Sequence, residues 1–141
     1  MLEGLPRRTD GQLREDFETI VHAFKYAVET KPDTIALTCG EDQATYKEYG
    51  EGAARIAAFL QSHGIQRGDR VVICVDPSIV LPMMIYGGLA AGAQITMVNQ
   101  LFTEREIIPL LKITEPKLIL CSATSKEALQ KCASDNQIVL I

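Results

Sequence analysis

Few side chains in this sequence have types and spacing suited to chemistry. The most suggestive run is Cys121-Ser122-Ala123-Thr124-Ser125-Lys126, which places hydroxyls and a lysine between a strand-like and a helical stretch. It lacks a glycine, so the backbone cannot readily turn several N–H groups onto a phosphate. A helix cap by Thr124 or Ser125 accounts for the run without a ligand. Gly87-Gly88-Leu89-Ala90-Ala91-Gly92 has the wrong spacing for a dinucleotide fingerprint and falls late in a helix, whereas anions bind at helix N-termini. It reads as small-residue packing. His22 and His63 have no neighbour that would complete a metal pair or a triad, and His63 suits a cation at a helix C-terminus. Asp69 and Arg70 serve a turn and flank a strand. Asp76 and Asn99 close two strands, at the carboxyl ends where open α/β sheets bind ligands. With Thr103 they are the candidate rim residues, and turn and capping roles compete for all three. No residue is assigned a catalytic or metal-binding role.

The elements that must position these residues follow from periodicity. After a polar leader over residues 1–15, Phe17, Ile20, Val21, Phe24 and Val28 fall at helical spacing, and the helix stops near Lys31-Pro32. Ile35 to Thr38 and Ala44 to Tyr46 flank Gly40-Glu41-Asp42-Gln43 as a hairpin. A second amphipathic helix carries Tyr49, Ala53, Ile56, Ala57 and Leu60. Gly64 can take the left-handed conformation that ends it. Gly68-Asp69 then supplies a tight turn into Val71 to Val75, an apolar β-branched run of the kind buried on both faces. A third helix has Pro82 in its first turn, and Gln94 to Val98 is a strand. Thr103 and Glu106 form a capping box opening a fourth helix, which Pro109 should kink or shorten. Lys117 to Cys121 is a strand, Ser125 to Ala133 a helix and Gln137 to Ile141 a final strand. The order α-β-β-α-β-α-β-α-β-α-β predicts an α/β fold with a mostly parallel, doubly wound sheet, flanking helices and an N-terminal hairpin.

Composition narrows the function classes. A chain of 141 residues fits one domain, and 47% hydrophobic with 23% charged residues suits a globular core. A net charge of −4, few aromatics and no tryptophan argue against nucleic acid as the main partner. Cys39, Cys74, Cys121 and Cys132 lack metal-ligand or C-x-x-C spacing and read as inert thiols in a reducing compartment. No secretory pattern follows Arg7-Arg8. The apolar region from Ile79 to Val98 is broken by Pro82, Gly87-Gly88 and Gly92, too often to cross a bilayer. The expected location is the cytoplasm. The apolar run Ile138-Val139-Leu140-Ile141 ends the sequence on an uncovered strand, which predicts a piece of a longer protein and an edge open to self-association.

Taken together, several segments resemble the N-terminal portion of the adenylate-forming superfamily of acyl-CoA synthetases, acid–thiol ligases and peptide-synthetase adenylation domains. Pro32-Asp33-Thr34-Ile35-Ala36-Leu37 resembles its P-D-x-x-A-L strand, and Thr45-Tyr46-Lys47-Glu48-Tyr49 its T-Y-x-E-L. Gly64 to Val71 resembles G-x-x-x-G-D-R-V, and Leu89-Ala90-Ala91-Gly92-Ala93 resembles L-K-A-G-A. Val98-Asn99 and Thr103-Glu104-Arg105-Glu106-Ile107 resemble the V-N-P and T-x-x-E-L that come next. Gln100 stands where the family usually has proline, and Ala90 where it often has lysine. The resemblance covers residues 16–141, as the N-terminal subdomain of an AMP-dependent ligase.

What the resemblance implies is a carboxylate activated by ATP and magnesium to acyl-AMP, then transferred to the thiol of CoA or a carrier pantetheine. The family's phosphate loop, ribose-binding aspartate and catalytic lysine have no counterpart in this sequence, so this chain alone is expected to be inactive. Two other readings stay open from the residues themselves: a freestanding non-catalytic interaction module, and an unrelated flavodoxin-like binding domain.

Overall fold

The computed structural model describes residues 17–132 and 137–140. The predicted leader, residues 133–136 and Ile141 lie outside the described residues. The elements are α1 (Ile20–Thr30), β1 (Ile35–Cys39), β2 (Asp42–Thr45), α2 (Tyr46–Ser62), β3 (Arg70–Cys74), α3 (Val80–Ala90), β4 (Gln94–Met97), α4 (Glu104–Thr114), β5 (Leu118–Cys121), α5 (Ala123–Cys132) and β6 (Gln137–Leu140). β1 and β2 form the antiparallel hairpin. The other four strands form a parallel sheet in the order β4-β3-β5-β6.

Strand β3 is central although it is made first among the four, and its burial explains the apolar run. Val71, Ile73 and Val75, with Leu118 and Leu120 of β5, join Leu60 of α2 and Met84 of α3 in one core. The alternate residues Val72, Cys74, Ile119 and Cys121 join Ile107 and Leu111 of α4 and Leu129 of α5 in a second. The period-two alternation thus sends one set of side chains to each face, and both faces are covered by helices. Burial raises the Cys74 and Cys121 thiols above their ordinary range, as expected for unreactive packing groups.

Local chemistry sets the element ends. Gly64 takes φ 77° after α2, where a side chain would be strained. Thr45 and Glu48 form a capping box that begins α2 at Tyr46, so Tyr46 belongs to the helix and the hairpin ends one residue earlier than expected. The glycine-rich run of α3 brings it close to its neighbours. A Cβ on Gly87 would sit 2.6 Å from the Ala53 carbonyl oxygen of α2, and one on Gly88 would collide with Ile95 of β4. The small residues therefore serve a helix–helix contact as well as the expected helix–sheet contact.

Three further expectations change. The first helix begins at Ile20, because the Thr19 hydroxyl accepts from His22 N–H as its cap, leaving Phe17 outside, its ring tilted against that of Tyr26 at 5.4 Å. α4 continues past Pro109 to Thr114, because the proline lies on the exposed side, where the carbonyl one turn before it can be hydrated. α5 begins at Ala123, earlier than expected, which puts Thr124 and Ser125 inside its first turn.

Candidate functional site

The sheet order creates one switch point. The chain leaves β3 for α3 on one face and leaves β5 for α5 on the other, and a crevice between two such strand ends is where open α/β sheets bind ligands. Asp76 follows β3 and Thr124 opens α5. The structure brings them together across that crevice, the Thr124 hydroxyl donating to Asp76 Oδ2 at 3.1 Å. Ser125, buried beside them, donates its Oγ hydrogen to the Cys74 carbonyl at 2.7 Å. The Ser122 hydroxyl is buried with no partner among the described residues. Sequence reasoning treated Thr124 and Ser125 as caps and missed this association. The signal available to it was that both positions directly follow strands, and only the strand order makes those strands neighbours.

The other two rim candidates are occupied locally. Asn99 Oδ1 accepts from Leu101 N–H at 2.9 Å, an Asx-type turn that carries the chain off β4. Thr103 donates through both N–H and hydroxyl to Glu106 Oε2, each at 2.8 Å, and these bonds hold the Glu106 carboxyl below its usual range. Asn99 lines a cleft of about 290 Å³ with Ile73, Val75, Leu81, Met97 and Gln100, while Asp76 and Thr103 do not line it. That cleft is mainly apolar, lies at the carboxyl ends of β3 and β4, and offers side-chain amides as its polar groups.

At the opposite end of the sheet, Asp69 and Arg70 of the Gly64 to Val71 segment are both engaged. Asp69 Oδ2 accepts from Lys117 Nζ at 2.7 Å and from Gln66 N–H at 2.8 Å, which together hold its carboxyl below the ordinary range. Lys117 also donates to the Gly64 carbonyl at 2.7 Å. Arg70 donates to the Thr114 carbonyl and to Glu115 Oε2. His63 places Nδ1 2.8 Å from the Phe59 carbonyl, and its ring packs on Phe59 at 4.1 Å. His22 is an exposed neighbour of Glu18.

ATP and magnesium require converging backbone donors around phosphates and several acidic ligands. No cluster of three or more His, Cys, Asp or Glu placed to hold a metal occurs among the described residues. Asp76 is engaged by Thr124, and the α5 N-terminus has no glycine loop before it. One orphaned hydroxyl at Ser122 does not make a phosphate cradle. The groups present do not fit a nucleotide site.

The class defined by this geometry is an open, doubly wound α/β layer that frames a site at its strand ends. Its family is AMP-binding enzyme, whose model matches residues 24–141. The chain belongs to that family and corresponds to the N-terminal portion of an adenylate-forming enzyme. It is 32% identical over 102 residues to luciferin 4-monooxygenase of Photinus pyralis, covering 71% of this chain and 18% of that protein. It is 34% identical over 88 residues to a medium/long-chain-fatty-acid–CoA/3-oxocholest-4-en-26-oate–CoA ligase of Mycobacterium marinum, covering 62% of this chain and 16% of the ligase. In fold it is similar to a benzoate CoA ligase from Burkholderia xenovorans, with TM-score 0.77 and 21% identity, over 85% of this chain and 24% of that one. The chain spans less than a fifth of the length of these two curated relatives.

Proposed function

We propose that this chain is the scaffold portion of an acid–thiol ligase of the acyl-CoA synthetase type. The whole protein uses ATP and magnesium to convert a carboxylic acid to acyl-AMP with release of pyrophosphate, and passes the acyl group to CoA or a carrier-protein thiol. It works in the cytoplasm. ATP supplies the adenylyl group that makes the acid carbon electrophilic. This chain contributes the packed layer against which the nucleotide-binding and acid-binding parts are held, and is inactive alone. The observation that carries the reading is the family match over residues 24–141. The engagement of Asp76 by Thr124, and of Asn99 and Thr103 in local bonds, supports the inactivity of the isolated chain.

The test is ATP–pyrophosphate exchange with a panel of aliphatic and aromatic acids. The 141-residue chain is expected to give no exchange above the no-enzyme background. A chimera carrying residues 24–141 in place of the homologous segment of a fatty-acid–CoA ligase is expected to retain it. Robust exchange by the chain alone overturns the reading.

A further inference from the structure

Two of the four cysteines stand side by side in the core. Cys74 ends β3 and Cys121 ends β5, and the parallel register makes them direct neighbours. Both belong to the core on one face of the sheet, with Ile107, Leu111 and Leu129. Both are free thiols with 0% exposure. Neighbouring strands lie about 4.8 Å apart, within the roughly 4.4–6.8 Å that a disulfide spans between Cα atoms. Cys39 instead stands opposite Asp42 in the hairpin, and Cys132 lies at the far end of α5. The first turn of α5 begins two residues after Cys121 and covers the pair. It is tied down by Ser125 on the Cys74 carbonyl and by Thr124 on Asp76. A helix end held by two hydroxyl bonds opens at lower cost than the sheet beneath it.

We propose that Cys74 and Cys121 form a redox-sensitive latch: when the first turn of α5 opens, a small hydroperoxide converts the pair to a disulfide that staples β3 to β5. One thiol gives its proton to water, and its sulfur attacks the peroxide and breaks the O–O bond. With hydrogen peroxide, the released hydroxide takes up that proton, leaving a sulfenic acid and water. The second sulfur then attacks the sulfenic sulfur, and the displaced hydroxide leaves as water with the second thiol's proton. The pair loses two electrons and the peroxide gains them. The neighbouring thiol captures the sulfenic acid before it is oxidised further. The bond needs no cavity, since it draws the two sulfurs closer. In-register side chains run parallel rather than toward each other, so the disulfide is strained, and strained disulfides are readily reduced. Thiol reductants therefore reverse the latch. While α5 is closed, burial keeps both thiols protonated and inert.

Peptide mapping tests this on the 141-residue chain, incubated with hydrogen peroxide at neutral pH, quenched and alkylated in urea. Trypsin places Cys74 in the peptide from Val71 to Arg105 and Cys121 in that from Leu118 to Lys126. The expected product joins these two peptides, is two hydrogens lighter than their sum, and disappears with dithiothreitol. Ser125→Ala, which frees the first turn of α5, should form it about tenfold faster. Leu60→Ala, which weakens the core on the other face, should leave the rate unchanged, because local opening exposes the pair. Cys74 and Cys121 that remain alkylatable after prolonged exposure overturn the proposal. So does their conversion to sulfinic acid without a link, or a disulfide formed only through Cys39 or Cys132. A link that forms no faster in Ser125→Ala, or faster in Leu60→Ala, overturns the role of α5 as the cover. If either variant fails to fold, the wild-type peptide map alone decides.

Discussion

At the N-terminal end of the parallel sheet, Asp69, Arg70, Lys117 and Glu115 reach across from β3 to the residues entering β5 and ending α4. At the C-terminal end, Asn99 and Thr103 bond to residues two or three positions away, while Asp76 and the Cys74 carbonyl accept from the hydroxyls of Thr124 and Ser125 of α5. One end is cross-braced by ion pairs; the other is linked only through hydroxyl hydrogen bonds, with its β4 exit finished locally and bordered by an apolar cleft. The contrast teaches that polar residues at strand ends are not equivalent. Those at the N-terminal end fix how the strands sit against each other, whereas those at the C-terminal end shape the exits to helices and leave room for further polypeptide or ligand.

The comparison can be broken or sharpened by substitution. The largest effect should come from the core that both ends depend on: Leu120→Ala is expected to cost about 3 kcal/mol in urea denaturation, with no difference between ends. Acid should come next. The Asp69 carboxyl is held low by Lys117 and Gln66, so its folded-state pKa lies below the unfolded one. Its contribution is therefore present at neutral pH and lost as pH falls through the folded value. The carboxyls of Glu48 and Glu106, lowered by their threonine caps, act with the same sign. The urea midpoint should drop between about pH 6 and about pH 3, and Lys117→Met should flatten part of that drop. An unchanged pH profile in Lys117→Met would refute the bracing role of Asp69. Thr103→Ala, which removes a capping hydroxyl at the C-terminal end, is expected to cost about 1 kcal/mol, read as a shift in thermal midpoint. The smallest effect is expected for Asp76→Ala, below about 0.5 kcal/mol by the same melt. If Asp76→Ala destabilises as strongly as Leu120→Ala, the C-terminal end is braced after all and the contrast fails.

Much of this was legible because it is local. Gly64, the Thr103–Glu106 box and the apolar run from Val71 announce themselves within a few residues, and the structure has each of them. The antiparallel hairpin and parallel sheet followed from the same patterns. What was not legible is long-range. The Asp76–Thr124 bond exists because β5 lies next to β3, and no local pattern states that β4 goes to the other side. The start of α5 was missed because a Ser-Ala-Thr-Ser run offers several equivalent caps, and the choice among them was made by Ser125 reaching the Cys74 carbonyl.

The position of β3 also governs how the chain comes off the ribosome. Its four residues from Val71 to Cys74 are almost fully buried, yet one flank waits for β5, which is synthesised only after α3, β4 and α4. Until then, β3 can pair on one side only, and its second face has no α5 to cover it. Parallel pairing across such separations is slow and exposes strand edges. A nascent chain halted before Leu118 therefore carries a half-built sheet, so chaperone engagement should peak while α4 is emerging and decline once Cys121 has cleared the exit tunnel.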